Sequence, residues 1–209
     1  MFKGRHFDQS VILLCVRRYL AYGLSLQNLE EMTVHLWVIR YSPILLERFN
    51  LRKRAVTAKW HVDETYIKVL GQWMYLYRAI DSLGDTVEFY FCEHRDLLAV
   101  KRLFKQALDR HSRPEAIVSR DATNRIDTGA DETTRPITIR KRKYLNNRIE
   151  QDHRRIKRRA RPMLSFKSLA SASIILSGIE LVHMMRKRQA RFAYNPNPSL
   201  AEQFEMLAA

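Results

Sequence analysis

The sequence predicts an α/β protein in which a sheet-forming region follows a helical N-terminal region. Two observations support this prediction. Residues 60–92 contain three runs rich in β-branched and aromatic side chains, separated by turn-forming residues, as expected of consecutive antiparallel strands. Residues 1–50 and 97–110 instead place their apolar side chains at the three- and four-residue spacing of a helix. With 209 residues, the chain can bury one core of ordinary size.

The sheet-forming region has a defined order of elements. The predicted elements are strands over Trp60–Val69, Trp73–Ile80 and Thr86–Cys92, a helix over Leu97–Arg110 and a short buried strand over Glu115–Ser119. A basic block followed by a long helix occupies residues 135–192. Three strands, a helix, a strand and a helix form the element order of a ribonuclease-H-like, or integrase-type, core.

The N-terminal region is expected to be a small helical unit of the helix-turn-helix type. One helix ends at Gly23, a second begins near Ser25, and a third covers Val34–Phe49 with a break or kink at Pro43. The expected domains are this unit in residues 1–50, a basic linker in 51–59, a ribonuclease-H-like catalytic domain in 60–192 and a C-terminal tail in 193–209.

The chain is strongly basic, with 37 Lys and Arg residues against 22 Asp and Glu residues and a formal net charge of +15. A field of this size favours a polyanionic partner, and we expect that partner to be DNA. Contacts with its phosphates supply affinity and positioning rather than sequence reading. The candidate DNA-binding residues are Arg140, Lys141, Arg142, Lys143, Arg148, Arg154, Arg155, Lys157, Arg158 and Arg159. A solvated charged helix is the alternative interpretation of this block.

The cysteine content and the apolar runs indicate the cellular setting. Cys15 and Cys92 are far apart in sequence and offer neither a disulfide framework nor metal-ligand spacing, so we expect a reduced, cytoplasmic environment. The apolar runs around Leu13 and Ile175 stop well short of the roughly 20 apolar residues that a membrane span needs. We therefore expect no membrane partner.

Three acidic residues are candidates for a metal-dependent active site. Asp63 interrupts an otherwise apolar strand, where Asp is disfavoured unless it has a function. Asp121 lies two residues after the end of the predicted strand at Ser119, and Glu150 lies in a densely basic helix. Carboxylates brought together from different elements are typical Mg²⁺ ligands, and two such ions about 4 Å apart catalyse phosphoryl transfer on DNA. Taken singly, each residue also fits a solvated surface carboxylate.

Several longer motifs agree with this interpretation. Trp60–Val69 and Gly71–Asp81 resemble the first catalytic region of DDE transposases of the insertion-sequence-six family. Phe2–Phe7, Tyr144–Arg154 and Gly178–Lys187 are similar to other parts of the same family, so the resemblance covers nearly the whole chain. It implies a ribonuclease-H-like fold and a transposase that cleaves DNA and joins the ends of an insertion sequence to target DNA.

The resemblance also implies site residues, cofactors and partners. Asp63, Asp121 and Glu150 match the three positions of the catalytic triad, which would bind two Mg²⁺ ions, with Mn²⁺ as a substitute. The alternatives for the second position are Asp127, Asp131 and Glu132. The family further implies a homo-oligomer that acts on element ends and target DNA in the cytoplasm, in association with the nucleoid.

The sequence departs from the family pattern in two places. Met32–Trp37 directly joins two regions that relatives separate by additional residues, so we expect a truncated helix-turn-helix. The segment after Asp121 is also shorter than in relatives. A recognition helix reads bases from its N-terminal residues, so losing them should weaken recognition of element ends. The alternative interpretation is therefore a catalytically defective DNA-binding relic of such a transposase.

Binding to duplex DNA is expected to weaken steeply with salt, because each phosphate contact releases condensed counterions. The logarithm of the binding constant should fall against the logarithm of salt concentration with a slope of about −0.9 per neutralised phosphate. Replacing Arg154, Lys157 and Arg158 together with Ala should flatten this slope. Fluorescence anisotropy of a labelled duplex measures it, and binding that ignores salt would contradict the assignment of DNA as partner.

Overall fold

The computed structural model describes residues 8–22, 31–119, 137–141, 147–161, 166, 168–192 and 197–209. The helices are α1 (Gln9–Tyr22), α2 (Glu31–Asn50), α3 (Leu97–Arg110), α4 (Asn147–Ala160), α5 (Leu169–Arg186) and α6 (Leu200–Ala208). The strands are β1 (Lys59–Val69), β2 (Gln72–Asp81), β3 (Thr86–Cys92), β4 (Ala116–Ser119) and β5 (Thr138–Lys141).

The five strands form one mixed sheet in the order β3-β2-β1-β4-β5. β1, β2 and β3 are antiparallel neighbours, whereas β4 is parallel to β1 and β5 is parallel to β4. β1 is therefore the central strand, with α3 connecting the antiparallel half of the sheet to the parallel half. This topology is that of a ribonuclease-H-like core, and it confirms the predicted fold class.

One face of the sheet packs against α3. Trp60 and Val62 of β1 alternate with side chains that point to the other face, and they join Tyr77 of β2 in an apolar cluster. Leu103 and Phe104 contribute from the amphipathic side of α3. The helix begins where the side chain of Asp96 accepts a hydrogen bond from the amide of Ala99, as in a typical N-cap.

The residues that alternate with this cluster project from the opposite face of the sheet. This face combines apolar side chains such as Leu76 and Ile80 with buried polar ones. The polar side chains of β1 and β2 on this face include His61, Asp63, Thr65 and Arg78, and all four are buried. Buried polar groups are rare unless they have partners, so this face is where function is to be sought.

The chain folds into two compact units, and the residue limits of these units differ from those of the expected domains. One unit contains residues 55–155, with the sheet and α3. The other contains residues 1–54 together with 156–209, and in it α1, α2, α5 and α6 pack on one another. The N-terminal helices thus form a core with the C-terminal helices, and the boundary between the units falls within α4.

Helix α2 is continuous through Pro43, so a break is wrong there, and the alternative prediction of a kink stays a prediction. Its buried side chains recur at helical spacing and pack into the helical unit, which outweighs the cost of a proline inside a helix. The buried positions are Val34, Val38, Tyr41, Leu45 and Phe49. The expected helix start near Ser25 lies outside the described residues, and α2 runs through Trp37 without a turn.

Helix α5 is the core helix of the helical unit. Its 18 residues have a mean hydropathy of 1.2, which satisfies a length and composition test for a membrane span, but 61% of them are buried inside the protein. It also carries the buried polar residues Glu180 and His183. Ser168 caps its N-terminus by accepting a hydrogen bond from the amide of Ser171. The hydropathy of α5 is therefore that of a helix buried on most sides.

Replacing Gly178 with Val is expected to destabilise the helical unit, because α5 approaches α1 and α2 closely there. A Cβ at this position would lie 2.7 Å from Cδ2 of Leu20 and 3.1 Å from Oγ of Ser42, both of which are fully buried. Overpacking of this kind costs about 1–3 kcal/mol. Urea denaturation should show this loss for Gly178→Val but little change for Ala170→Val at an exposed position of α5. Equal stability of the two variants would contradict the close approach.

Candidate active site

Asp63 lies in the interior of β1, the central strand, and only 6% of its surface is exposed. In the antiparallel register it is directly opposite Arg78 of β2. Side chains directly opposite in such a pair project from the same face with Cβ atoms about 5 Å apart. The strand interior thus places a carboxylate beside a buried guanidinium.

Arg78 connects this part of the sheet to α4. Its side chain is completely buried, and its Nη2 atom lies 3.4 Å from Oδ2 of Asp152, which is also buried. The contact is both an ion pair and a hydrogen bond. Because Asp63 and Arg78 share one face of the sheet, α4 packs on the face from which the Asp63 carboxylate projects.

The buried side of α4 follows helical spacing. Ile149 and Ile156 are buried, and Asp152 and His153 lie between them on the same side of the helix. A second contact holds the start of the helix, because the guanidinium of Arg148 donates a hydrogen bond to the backbone carbonyl of Ser82 in the β2–β3 turn. Glu150 is half-buried at the edge of this packed side, in the first turn of α4.

Two of the three predicted triad residues lie in described elements: β1 carries Asp63 and α4 carries Glu150. α4 contacts β2, the neighbour of β1, through the pair of Arg78 and Asp152. Asp121 lies outside the described residues, as do its alternatives Asp127, Asp131 and Glu132. Within the described part of the chain, no group of three or more His, Cys, Asp or Glu side chains could hold a metal ion. The triad therefore remains a prediction.

Two other buried acids of the sheet have structural roles. Oδ1 of Asp81 accepts hydrogen bonds from the amides of Leu83 and Asp85, and its Oδ2 accepts one from the amide of Thr57, so this carboxylate shapes the β2–β3 turn. Glu88 pairs with Arg110 of α3 at 2.6 Å on the other face of the sheet. Burial of an acid is thus not sufficient to mark a catalytic group in this sheet.

The predicted DNA-binding residues fall into several classes. Arg140, Arg154, Arg155 and Arg158 are exposed, as phosphate-contacting residues must be. Burial, with the charge of Arg161 as a smaller cause, lowers the pKa of the half-buried Lys157. The side chains of Lys141, Arg142 and Lys143 lie outside the described residues.

Arg159 has a structural role that the sequence analysis did not identify. Its guanidinium donates hydrogen bonds to the carbonyls of Tyr19 and Leu20 at the C-terminal end of α1, and Arg186 donates to the next carbonyl, that of Ala21. Two arginines thus satisfy carbonyls that the helix end leaves without partners. Burial, aided by the charge of Arg186, lowers the pKa of Arg159 to about 10, so it stays charged at neutral pH.

A family model described as a DDE domain matches residues 57–189 of this chain. The transposase for insertion sequence element IS257 in transposon Tn4003 of Staphylococcus aureus is 33% identical, and the alignment covers 91% of this chain and 90% of that protein. The transposase for insertion sequence-like element IS431mec of the same species matches with the same identity and coverage. The chain belongs to the DDE transposases of the insertion-sequence-six family, as its motifs predicted.

Solved structures of retroviral integrases resemble this chain in fold alone. The catalytic core domain of HTLV-2 integrase in its trimeric form is 12% identical, with a TM-score of 0.47, and the match covers 73% of this chain and 99% of that one. The catalytic core domain of BIV integrase is 17% identical, with a TM-score of 0.44 and the same coverage.

Arg159→Ala is expected to destabilise the helical unit, because it removes three hydrogen bonds to the end of α1 and leaves buried carbonyls without donors. The expected loss is about 1–3 kcal/mol in the free energy of unfolding. Arg158→Ala, one residue away and exposed, should leave the unfolding free energy within about 0.5 kcal/mol of the unsubstituted protein. Chemical denaturation measures both, and a harmless Arg159→Ala would refute the capping role.

Proposed function

We propose that this DDE transposase moves an insertion sequence by cleaving DNA strands and joining them to target DNA at a site built from Asp63, Asp121 and Glu150. One structural observation supports the proposal above others: Asp63 is buried in the central strand, on the face where the helix that carries Glu150 packs. The relatives in Staphylococcus aureus are transposases for insertion sequence elements, and they align with 91% of this chain.

The residues fit a hard divalent cation. Carboxylate oxygens are the ligands that Mg²⁺ prefers, and Mn²⁺ accepts the same donors. Asp63 and Glu150 would supply them from β1 and α4, with Asp121 as the third ligand. A pair of such ions, when bound, stabilises the attacking and leaving oxygens of an in-line displacement at phosphorus. We propose two Mg²⁺ ions for this site.

The protein's own contribution is to hold ligands and DNA in place. β1 restrains the backbone of Asp63, because Asp63 itself pairs with Arg78 of β2 and the preceding residue, Val62, pairs with Ser119 of β4. The exposed residues Arg154, Arg155 and Arg158 would bind DNA phosphates along α4. Contacts with phosphates do not read the base sequence, so they would hold element ends and target DNA alike.

Specific recognition of element ends is expected to be weak. Helices α1 and α2 are the first two helices of the described chain, and α2 runs without a turn through the region where a recognition helix would begin. Joining two element ends to one target also requires two active sites, which favours a homo-oligomer during the reaction. The proposed location is the cytoplasm, on the nucleoid, because the substrate is DNA.

The relic alternative predicts DNA binding without chemistry. The family match does not favour it, because a DDE domain is recognised over residues 57–189 and the relatives align with 91% of the chain. The alternative still differs from the proposal in a measurable way. A relic retains salt-dependent DNA binding but forms no strand-transfer product with either Mg²⁺ or Mn²⁺.

Asp63→Asn and Glu150→Gln are each expected to lower the rate of strand transfer at least about 100-fold, because each removes a charged metal ligand. Both substitutions keep the side-chain volume. The measurement is transfer of a labelled element-end duplex into a plasmid in the presence of Mg²⁺ or Mn²⁺. Duplex binding at low salt should remain within about twofold of the unsubstituted protein, since that binding depends on basic residues.

Glu88→Gln is the matched control, because Glu88 is equally buried in the sheet but faces α3. Glu88→Gln should retain strand transfer when the rate is compared at a temperature where the variant is fully folded. Full activity of Asp63→Asn would refute the proposed site. An unsubstituted protein that binds duplex but transfers no strands with either ion would favour the relic.

A further inference from the structure

We propose that Arg78 and Asp152 are positioning residues for the active site, in that their buried ion pair sets the place of Glu150 on α4 relative to Asp63 on β1. This inference rests on the proposed function, because it assumes that both carboxylates bind the catalytic ions. Neither Arg78 nor Asp152 is itself assigned a contact with DNA or metal.

Arg78 lies between two carboxylates. Its cross-strand neighbour is Asp63 in the β1–β2 register, and its Nη2 atom is 3.4 Å from Oδ2 of Asp152. All three side chains are buried, with exposures of 6% for Asp63, 0% for Arg78 and 5% for Asp152. The guanidinium is therefore a short link from the strand that carries one proposed ligand to the helix that carries another.

The N-terminal part of α4 is held at two points. Arg148 donates to the carbonyl of Ser82, and Asp152 pairs with Arg78. Arg148 and Asp152 are four residues apart in the helix, and their partners Ser82 and Arg78 are four residues apart in the opposite direction. This part of α4 therefore runs antiparallel to β2, and Glu150 lies midway between its two anchors, about 3 Å along the helix axis from each.

Helical geometry sets the direction in which Glu150 projects. At about 100° per residue, its side chain leaves α4 from the flank opposite to Arg148 and Asp152. Because the flank of Arg148 and Asp152 is anchored to β2 and its turn, the direction of Glu150 is fixed as well.

A buried ion pair is weak grounds for a stabilising role. Replacing such a pair with apolar side chains of similar volume is often neutral for folding, because the desolvation of both charges is avoided. Catalytic geometry is more demanding, since a site must hold its ligands to within about 0.5 Å. Groups that orient metal ligands without touching the metal typically change metal affinity or activity 10- to 100-fold when they are mutated. The pair can therefore be dispensable for folding and necessary for the site.

The test compares the full-length protein with the double variant Arg78→Met/Asp152→Leu, which removes both charges together. Thermal unfolding reports folding, electron paramagnetic resonance reports Mn²⁺ binding to the protein on an element-end duplex, and strand-transfer kinetics give kcat and the KM for DNA. We expect unfolding close to that of the unsubstituted protein and an unchanged KM. Mn²⁺ binding should weaken, and kcat should fall, by about 10- to 100-fold.

Glu88→Leu/Arg110→Met is the matched control, because this pair also joins a strand to a helix but lies on the other face of the sheet. It should leave Mn²⁺ binding unchanged. If the first double variant does not fold, Asp152→Asn, which keeps the side-chain volume, is measured in the same way. Unchanged Mn²⁺ binding and kcat in a folded variant without the ion pair would overturn the proposal.

The positioning role and the proposed function can fail separately. If Asp63→Asn and Glu150→Gln abolish Mn²⁺ binding while the variants of the ion pair do not, only the positioning role is wrong. If Asp63→Asn and Glu150→Gln themselves leave Mn²⁺ binding and strand transfer intact, the proposed active site is wrong, and the positioning role falls with it.

Discussion

The burial of Arg78 is the constraint around which the sheet unit is organised. A guanidinium that is wholly removed from water costs several kcal/mol unless negative groups surround it closely. The chain meets this requirement with Asp152 from α4, at 3.4 Å, while the register of β1 and β2 puts Asp63 directly opposite. One buried charge thereby requires two strands and a helix to take fixed positions. The same requirement brings the carboxylates of Asp63 and Asp152 to one face of the sheet.

Much of the fold could be predicted because its signals are local. The strands β1 to β3 follow from alternating β-branched and aromatic residues, and α3 follows from apolar spacing. β5 was not predicted, because it has four residues, two of them basic, and its partner β4 lies about twenty residues earlier in the sequence. The break at Pro43 was predicted wrongly because a sequence does not show the packing that outweighs the cost of a proline inside a helix.

Some residues of the candidate site could likewise be predicted from local sequence, and others could not. Asp63 and Glu150 were predicted because a carboxylate is conspicuous in an apolar strand or a basic helix. The pairing of Arg78 with Asp152 spans 74 positions, and that of Arg159 with the α1 carbonyls spans about 140, so no local pattern shows either. A usable signal did exist for Asp152: it occupies the same helical face as Ile149 and Ile156, where an acid needs a buried partner. Arg78, between apolar neighbours in β2, is the buried cation that pairs with Asp152.

The helical unit takes α1 and α2 from one side of the sheet region in sequence and α5 and α6 from the other. During synthesis, α1 and α2 therefore leave the ribosome long before the helices that cover their apolar sides. They must wait, partly unprotected, for about a hundred further residues, whereas the strands β1 to β3 can pair as soon as they emerge. A translation product that stops after the sheet would retain these exposed helices. Chaperones and proteases, which recognise such surfaces, would limit the amount of incomplete transposase in the cell.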